Sequence, residues 1–600
     1  MKKNNLFLSL ICSIVLTVAL VTVTIASVLP KKNDKKPVNP STNVSQNVGD
    51  INNEANDGTA QKPFVLYDAE SFIQYVKANG GKLVPVMEAV QEPVMVEKLD
   101  ADGNVVLDEN GNAVLTEKLD ENGKVVYQNK VDENGKVVYK EKLDENGKVV
   151  KEGCHFVLNN NIDFAGVDFA PLFNQDKPFI GNIDGKGFAL KNISMNVTAE
   201  NFVSNFAYQY DDKDGIPCIK SHIGVFGSIE NATIENVSFE GLKISVADEV
   251  YALVADAITV GDKKVTTLEI TVGAVAAMAK NSVVAANVEA NIDAGSYSRY
   301  SNNSVDGYNS VGGVVAVANE CKFKDSKVNV TIVADNGTNY RVGGVAGYLY
   351  NSSVEKLEIN ANVVAKNNNQ VLYIGGVTGL GRAIAIVDSK VNLVVNGVGD
   401  RLNVSAVSQI DESKVTKVAG IATYLRANSE KENSAISNVY VNANVDMDAM
   451  FAGAVVDVLS TNKDYVNFDV YVEFVDVNVN ANVNTLEAFG FARTLKFASI
   501  TITENAYKLD VETGANYLVK LTGQIGLKNT DETCVASLFV KDMFDFNEVY
   551  FTVNGSSNAG ALEAVHVVCS YKIASQAELV EYDPNPIFGK VANYGVVEII

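Results

Sequence analysis

Three histidines, six cysteines and one dense group of carboxylates are the residues of this chain whose types suit metal, nucleophilic or acid–base chemistry. His155, His222 and His566 stand far apart, and none has a second His or Cys at ligand spacing. Metal catalysis and His-based triads therefore have little to build on. Cys12, Cys154, Cys218, Cys321, Cys534 and Cys569 contain no CxxC pair, and with Cys12 in the leader an odd number is left. Buried thiols acting as small core residues are expected rather than a disulfide framework. Asp163, Asp168 and Asp184 with Lys186 form the densest ionisable group. A polysaccharide lyase would need clustered carboxylates holding calcium plus a basic residue, and a hydrolase would need a carboxylate pair at working separation. These residues sit among glycines and asparagines, where a turn role is the plainer reading. No HExxH, GxSxG or P-loop pattern is present, so no catalytic residue, metal or cofactor is expected.

Binding is the stronger prospect. Tyr308, Tyr340 and Tyr373 each lie just ahead of a glycine pair, in SNNSVDGYNSVGG, DNGTNYRVGG and KNNNQVLYIGG, with Arg341 beside the second. Stacked in register, they would line one edge with aromatic faces and amides, a surface suited to an extracellular glycan or to a surface protein of a host or neighbouring cell. The competing reading is that each ring closes the end of its own core ladder.

What must position these residues is a repeat. VGGVAG at Val342–Gly347 has weaker copies in IGVFG from Ile223, VGAVA from Val272, VGGVVA from Val311, IGGVTG from Ile374, VAGIA from Val418, FAGAV from Phe451 and FGFA from Phe489. A recurring period of this size signals a solenoid, propeller or array. Alternating runs such as VEKLEINANVV, VNVTIVAD and VNLVVNGV follow the copies, and alternation of this kind means strands. A phosphate-cradling glycine loop would be followed by a helix instead. The glycine pairs mark tight corners that require positive φ or close backbone approach. Trp is absent, Pro is scarce, and 47% of the 600 residues are hydrophobic, a mixture for β-rungs joined by Asn/Gly turns. The net charge of −23 disfavours nucleic acid, which demands a basic face, and no nucleic-acid partner is expected.

One stretch resembles a known family. CHFVLNNNIDFAGVDFAPLFNQDKPFIGNIDGKGFALKNISMNV, then IGVFGSIENATIENVSFEGLKI, is similar to bacterial surface proteins with GLUG-type repeats. The matching residues include Ile162, Asp163, Phe169, Pro171, Phe179, Gly181, Ile183, Asp184, Gly185, Gly187 and the Ile223–Gly227 segment, while Asn161 departs from the pattern's first Asp. The likeness is strong over about 155–245, weaker to about 495 and faint thereafter. It implies an all-β fold, a pectin-lyase-like right-handed parallel β-helix, with Asp163 and Asp184 as turn residues. In such a fold each coil hydrogen-bonds to the next at about 4.8 Å, and a coil of about 25 residues is expected.

Domain organisation follows. Residues 1–29 hold Lys2 and Lys3 ahead of an apolar run from Leu6 to Leu29, either a cleaved signal peptide or an uncleaved anchor about 20 residues long. Residues 30–63 read as a disordered tether. Residues 64–96 form an N-terminal cap whose helix is capped by Asp68, carries Phe72, Ile73 and Val76 on one face and ends at Asn79-Gly80-Gly81. Residues 97–153 repeat KLDENGKVVYKE, with Asn-Gly at Asn110, Asn122, Asn134 and Asn146, the strongest hairpin signal, and read as an inserted β-meander. LDADGNVV in that stretch lacks the ligands of an EF-hand and reads as a plain turn. Residues 154–500 are the β-helix and 501–600 its last coils and C-terminal cap. The expectation is a non-catalytic protein of the cell surface, an adhesin, recognition protein or rigid spacer, touching membrane only through its N-terminal segment. A polysaccharide lyase or glycoside hydrolase on the same scaffold is the alternative.

Overall fold

The computed structural model describes residues 56–599 except for segments between strands, the longest being 251–258, 296–308, 400–415, 460–471, 503–515, 528–535 and 574–593. The leader and most of the tether fall outside the described residues. The fold is all-β with long parallel sheets, consistent with a parallel β-helix. Three sheets carry it: a broad one of 21 strands, a second of 10 and a third of 9. The chain visits them in a fixed cycle. Tyr340–Gly343 lies in the second sheet, Ala346–Tyr350 in the third and Ser353–Asn367 in the broad one. Leu372–Gly375, Thr378–Arg382 and Ala385–Gly399 then repeat the circuit, the last with a break at 388–389.

The alternating runs dictate this arrangement. Val328, Ile359, Val391, Val441 and Val479 share one column of the broad sheet, and each is buried. Two residues on, Val330, Ala361, Leu393, Ala443 and Ala481 form the next buried column. Successive side chains of a strand point to opposite faces, so like stacks on like along the core. Each buried Val or Leu contributes about 1.5–3 kcal/mol.

Among the described residues, copies of the glycine motif stand at the corner between the second and third sheets. Ile223, Val272, Val311, Val342, Ile374, Val418 and Ala452 stand in one column. One copy thus marks one coil, and coils are longer than the expected 25 residues because each includes a long strand of the broad sheet. The glycines answer the question of why they are there. Neither Gly343 nor Gly344 has a positive φ, but a Cβ on Gly343 would lie 2.0 Å from the Ala346 carbonyl oxygen, and one on Gly344 2.3 Å from that of Gly376. Close backbone approach, not left-handed geometry, requires glycine there. Left-handed corners exist too, at Asn231, Asn281, Asn351, Asn236 and Asn438, where asparagine tolerates them.

The first coil is closed by helix α1, Ala69–Asn79. Asp68 and Ser71 form a reciprocal capping box, which satisfies two of the helix's orphan donors. Phe72 packs edge-on against Phe164 with centroids 5.5 Å apart, and Phe179 stacks on Phe226 at 4.7 Å. Gly80 ends the helix at an ordinary φ of −67°. Its hydrogen is needed because a Cβ would strike Phe179 at 2.5 Å. Ordered chain begins before Phe64, which corrects the end of the tether. Gly58 N–H donates to the Lys62 carbonyl and the Gly58 carbonyl accepts from His155 N–H at 2.7 Å, so this turn is pinned to the body.

The hairpin repeats are not a meander. The preceding segment, Leu83–Glu97, is their common outgoing strand, so the paired unit begins upstream of residue 97. Its pieces Leu83–Pro85, Met87–Ala89, Gln91–Pro93 and Met95–Glu97 pair antiparallel with Lys151–Gly153, Tyr139–Glu141, Tyr127–Asn129 and Leu115–Glu117. Between these pairs lie rings of three backbone hydrogen bonds. Val94 N–H donates to the Val126 carbonyl, Val126 to Lys118 and Lys118 back to Val94, each at 2.8 Å. Equivalent rings sit at Val90/Lys130/Val138, Val86/Lys142/Val150 and Lys98/Val106/Val114. Each twelve-residue unit therefore buckles into a loop of its own and returns to meet four residues of the outgoing strand.

Candidate functional site

The carboxylate group resolves into turns. Asp163 Oδ1 accepts from Asn192 Nδ2 and from the Ala165 amide, both at 2.9 Å, and these bonds hold its carboxyl below the usual range. Asp184 is partly buried, which by itself would raise its pKa. Hydrogen bonds from Lys186 and Asn236 override that and lower it. Lys186 is raised in turn by the Asp184 carboxylate. Asp100 in the LDADGNVV loop is likewise occupied, accepting the Asn104 and Asp102 amides at 2.9 Å, bonds that lower its pKa. Among the described residues no three His, Cys, Asp or Glu side chains gather as a metal site. Cys321 is buried and pushed up to about 11 by desolvation, the state of an inert thiol.

Two of the three tyrosines named from the sequence fall on described strands. Tyr308 lies outside the described residues. Tyr340 pairs with Leu372, whereas Arg341 pairs with Tyr373, so Tyr340 and Tyr373 are one residue out of register.

What the register does bring together is a mixed column: Arg341, Tyr373 and Lys417, in three successive coils of the second sheet. Across the glycine corner, the third sheet contributes Tyr348 and Tyr424, with Leu380 between them, and the parallel column Tyr350, Arg382 and Arg426. The two faces are knitted by cation–aromatic contacts. The Arg341 guanidinium carbon lies 4.9 Å from the Tyr348 ring centre, bridging the corner. Arg382 lies 5.3 Å from Tyr350, and Lys417 Nζ 5.9 Å from Tyr373, each reaching into the coil before it. Such contacts contribute about 0.5–1 kcal/mol when exposed and about 2 when desolvated. Here the partners are half-buried, except Lys417, which is buried. The strands Tyr340–Tyr350, Leu372–Arg382 and Thr416–Arg426 carry four cations and no Asp or Glu. On a chain of net charge −23, that is a local reversal of sign.

Tyr348, Tyr350, Arg382 and Arg426 escaped the sequence reading, which looked only upstream of the glycines; Lys417 is upstream of Gly420 and was passed over because its coil has no tyrosine there. The signal lay downstream as well, in GYLY, GLGR and TYLR at one offset from each corner.

A second ordered feature runs along the outer face of the broad sheet. Asn360 Nδ2 donates to Asn329 Oδ1 at 2.7 Å, Asn392 to Asn360 at 2.7 Å, Asn442 to Asn392 at 3.4 Å and Asn480 to Asn442 at 3.1 Å. Asn360, Asn392 and Asn442 each donate to the coil before and accept from the coil after. Stacked side-chain amides therefore occur mid-strand, in addition to the turn pair Asn231–Asn281.

No family model and no curated protein matches the chain. Among solved structures, an IgA1 protease is similar at 17% identity and a TM-score of 0.32, over 69% of this chain and 26% of that one. The chain thus spans about a quarter of that protease's length, and a superposition this loose carries no argument about activity.

Proposed function

We propose that this is an exported, non-catalytic protein of a bacterial cell surface that works in adhesion or recognition, built on a right-handed parallel β-helix of the GLUG-repeat kind. The cyclic passage through three parallel sheets and the likeness over about 155–245 support the scaffold. The apolar run Leu6–Leu29 supports export, with a membrane anchor or a cleaved leader as its two forms. The partner is an extracellular glycan or a surface protein of a host or neighbouring cell. One observation carries the reading: the cation–tyrosine patch spanning three coils at the glycine corner. A mere spacer has no use for aromatic and guanidinium groups gathered on one stretch, while rigid aromatic and Arg side chains are what binding surfaces concentrate.

The test is a screen of the full-length chain against glycan and extracellular-matrix arrays. The comparison protein is the Tyr348→Ala/Tyr373→Ala/Tyr424→Ala variant. Wild type should retain specific ligands that the folded variant binds roughly tenfold more weakly. Equal binding by the two proteins, or cleavage of a retained polysaccharide, overturns the reading.

A further inference from the structure

We infer that a groove across the outer face of the broad sheet binds a neutral, linear, hydroxyl-rich glycan; this rests on the recognition reading above, but on a different sheet from the glycine corner. The groove holds about 370 Å³ and crosses three coils, a volume within the range of about 300–1,000 Å³ usual for ligand pockets. Its origin is a bend. Lys356, Asp388 and Asn438 have φ of 55°, 51° and 52°, a left-handed step repeated in each strand. The residues that follow them, Leu357, Ser389 and Val439, are buried and make the floor. Glu358, Lys390 and Tyr440 come next, aligned in successive coils. They stand on the other side of that floor from Lys356, Asp388 and Asn438, so each coil lends the groove one side chain from each wall.

The charges alternate along and across the groove. Lys356 is set against Glu358 in one coil and Asp388 against Lys390 in the next, while the third offers Asn438 and Tyr440. Each charged coil sums to zero, so a polyanion or a polycation meets as much repulsion as attraction. A sugar hydroxyl donates and accepts at once, and a lysine beside a carboxylate serves both needs. The groups are available. Among the described residues Lys356 and Lys390 make no hydrogen bond or ion pair. Asp388 Oδ1 accepts from Asn438 Nδ2 at 2.7 Å, which fixes both side chains and leaves Oδ2 for a ligand. Lys327 lies 3.2 Å from Glu358 Oε1 and is the main reason that this carboxyl is held below its usual range, an ionised acceptor. The floor is spent, since Ser389 Oγ donates to the Val387 carbonyl at 2.8 Å and accepts from the Leu357 N–H at 3.1 Å. Tyr440 supplies the platform. It is 41% exposed, and outside the ribbon no other large apolar side chain among the described residues is as open. Its ring has no aromatic or cation partner among those residues, so a face is free for the C–H side of a sugar. Coils about 4.8 Å apart match the length that one pyranose adds to an extended glycan, so successive sugars meet successive coils. A peptide strand would need an unpaired sheet edge, whereas Lys390–Gly399 is paired on both sides.

The experiment measures binding of the full-length chain to dextran, pullulan and a mixed-linkage β-glucan, with alginate as polyanion and polylysine as polycation, at low and high salt. Three variants run alongside: Tyr440→Ala, Tyr440→Phe and the uncharged Lys356→Gln/Asp388→Asn/Lys390→Gln. Wild type should retain at least one neutral polymer, with an affinity that salt changes by no more than a few fold. Tyr440→Ala should lose roughly tenfold or more, while Tyr440→Phe, which keeps the ring, should stay within a few fold of wild type. The uncharged variant should lose roughly tenfold. The substituted side chains are exposed, so all three proteins should melt with wild type. A preference for alginate or polylysine over every neutral polymer, neutral binding undiminished in Tyr440→Ala, or self-association that Tyr440→Ala abolishes overturns the inference. A chain that binds no neutral polymer of this set, or binds one only through Tyr348, Tyr373 and Tyr424, overturns this inference alone. One that also retains nothing from the glycan and matrix arrays overturns the recognition reading with it.

Discussion

In the ribbon of residues 83–153, Gly123 has a φ of 76° and nothing within 4 Å of where a Cβ would be. In the coils, Gly343 has an ordinary φ, and a Cβ would sit 2.0 Å from the Ala346 carbonyl oxygen and 2.6 Å from that of Val377. Both regions are repeats and both depend on glycine, but the ribbon needs its freedom and the coils need its size. The rest of each region follows suit. The ribbon holds together by local turns and backbone rings, and it leaves Leu107, Leu119, Val131 and Leu143 about half exposed. The coils bury nearly every apolar side chain and place asparagines and charges outside. A repeat can thus be specified by turns with almost no core, or by a core whose corners admit only the smallest residue.

The sharpest way to break this contrast is to add one methyl group to each region. Gly343→Ala forces backbone apart in the middle of a stack, and the loss should be about 4 kcal/mol or a failure of the neighbouring coils to form. Gly123→Ala meets open space and should lose only about 1–2 kcal/mol, the cost of a left-handed alanine, confined to its own turn. Chemical denaturation followed by far-UV dichroism, with amide exchange to localise the change, measures both. Comparable losses in the two proteins would remove the distinction.

Acid should separate the regions next. His222 is buried in the second sheet, and burial first, then Lys220, drives its pKa down to about 3 from 6.5. The folded state therefore keeps this ring neutral while the unfolded chain takes up a proton. Stability is full above pH 6.5 and falls as pH drops through the window from 6.5 to 3, by about 3 kcal/mol at pH 4. The ribbon contains no histidine. Its Asp100 and Asp108 are held below their usual value by turn amides, so their contribution is present above pH 3.8 and fades only below it. Coils should soften before the ribbon turns do, and His222→Gln should flatten the upper window. Coil melting temperatures equally pH-dependent in wild type and His222→Gln would refute the assignment.

Much of this was legible beforehand, and the failures are instructive. The alternation Val328-Asn329-Val330-Thr331-Ile332 announces its inward and outward faces, and Asp68 with Phe72 and Val76 announces helix α1. The corner role of VGGVAG was readable, although the choice between positive φ and crowding depends on backbones from the next coil, which no local pattern contains. The three tyrosines do not keep one spacing from their glycines. Tyr308 stands four residues before Gly312, Tyr340 three before Gly343 and Tyr373 two before Gly375. Because side chains alternate, a shift of one residue changes the face. The true patch depends on pairing across coils, with residues on both sides of each corner, and only the register supplies that.

The ribbon's outgoing strand was missed because its period is too short to look like one. Val86, Val90, Val94 and Lys98 recur every four residues, against Val150, Val138, Val126 and Val114 at every twelve. This mismatch gives the last and smallest test. Removing residues 118–129 alone deletes a loop and its return strand but leaves four outgoing residues without partners. Removing 91–94 together with 118–129 deletes a whole tier and brings Met95–Glu97 and Leu115–Glu117 directly onto the ring at Val90, Lys130 and Val138. The matched deletion should preserve slow amide exchange at Val86 and Val90, while the single deletion should lose roughly tenfold or more of that protection. The coils should melt unchanged in both, because among the described residues Gln91–Pro93 and Tyr127–Asn129 pair with each other and not with the coils, and the ribbon's base is where Gly153 approaches the Ile180 carbonyl too closely for any side chain. If the single deletion were as well protected as the matched one, the four-to-twelve correspondence would not be what holds the ribbon, and its turns alone would have to suffice.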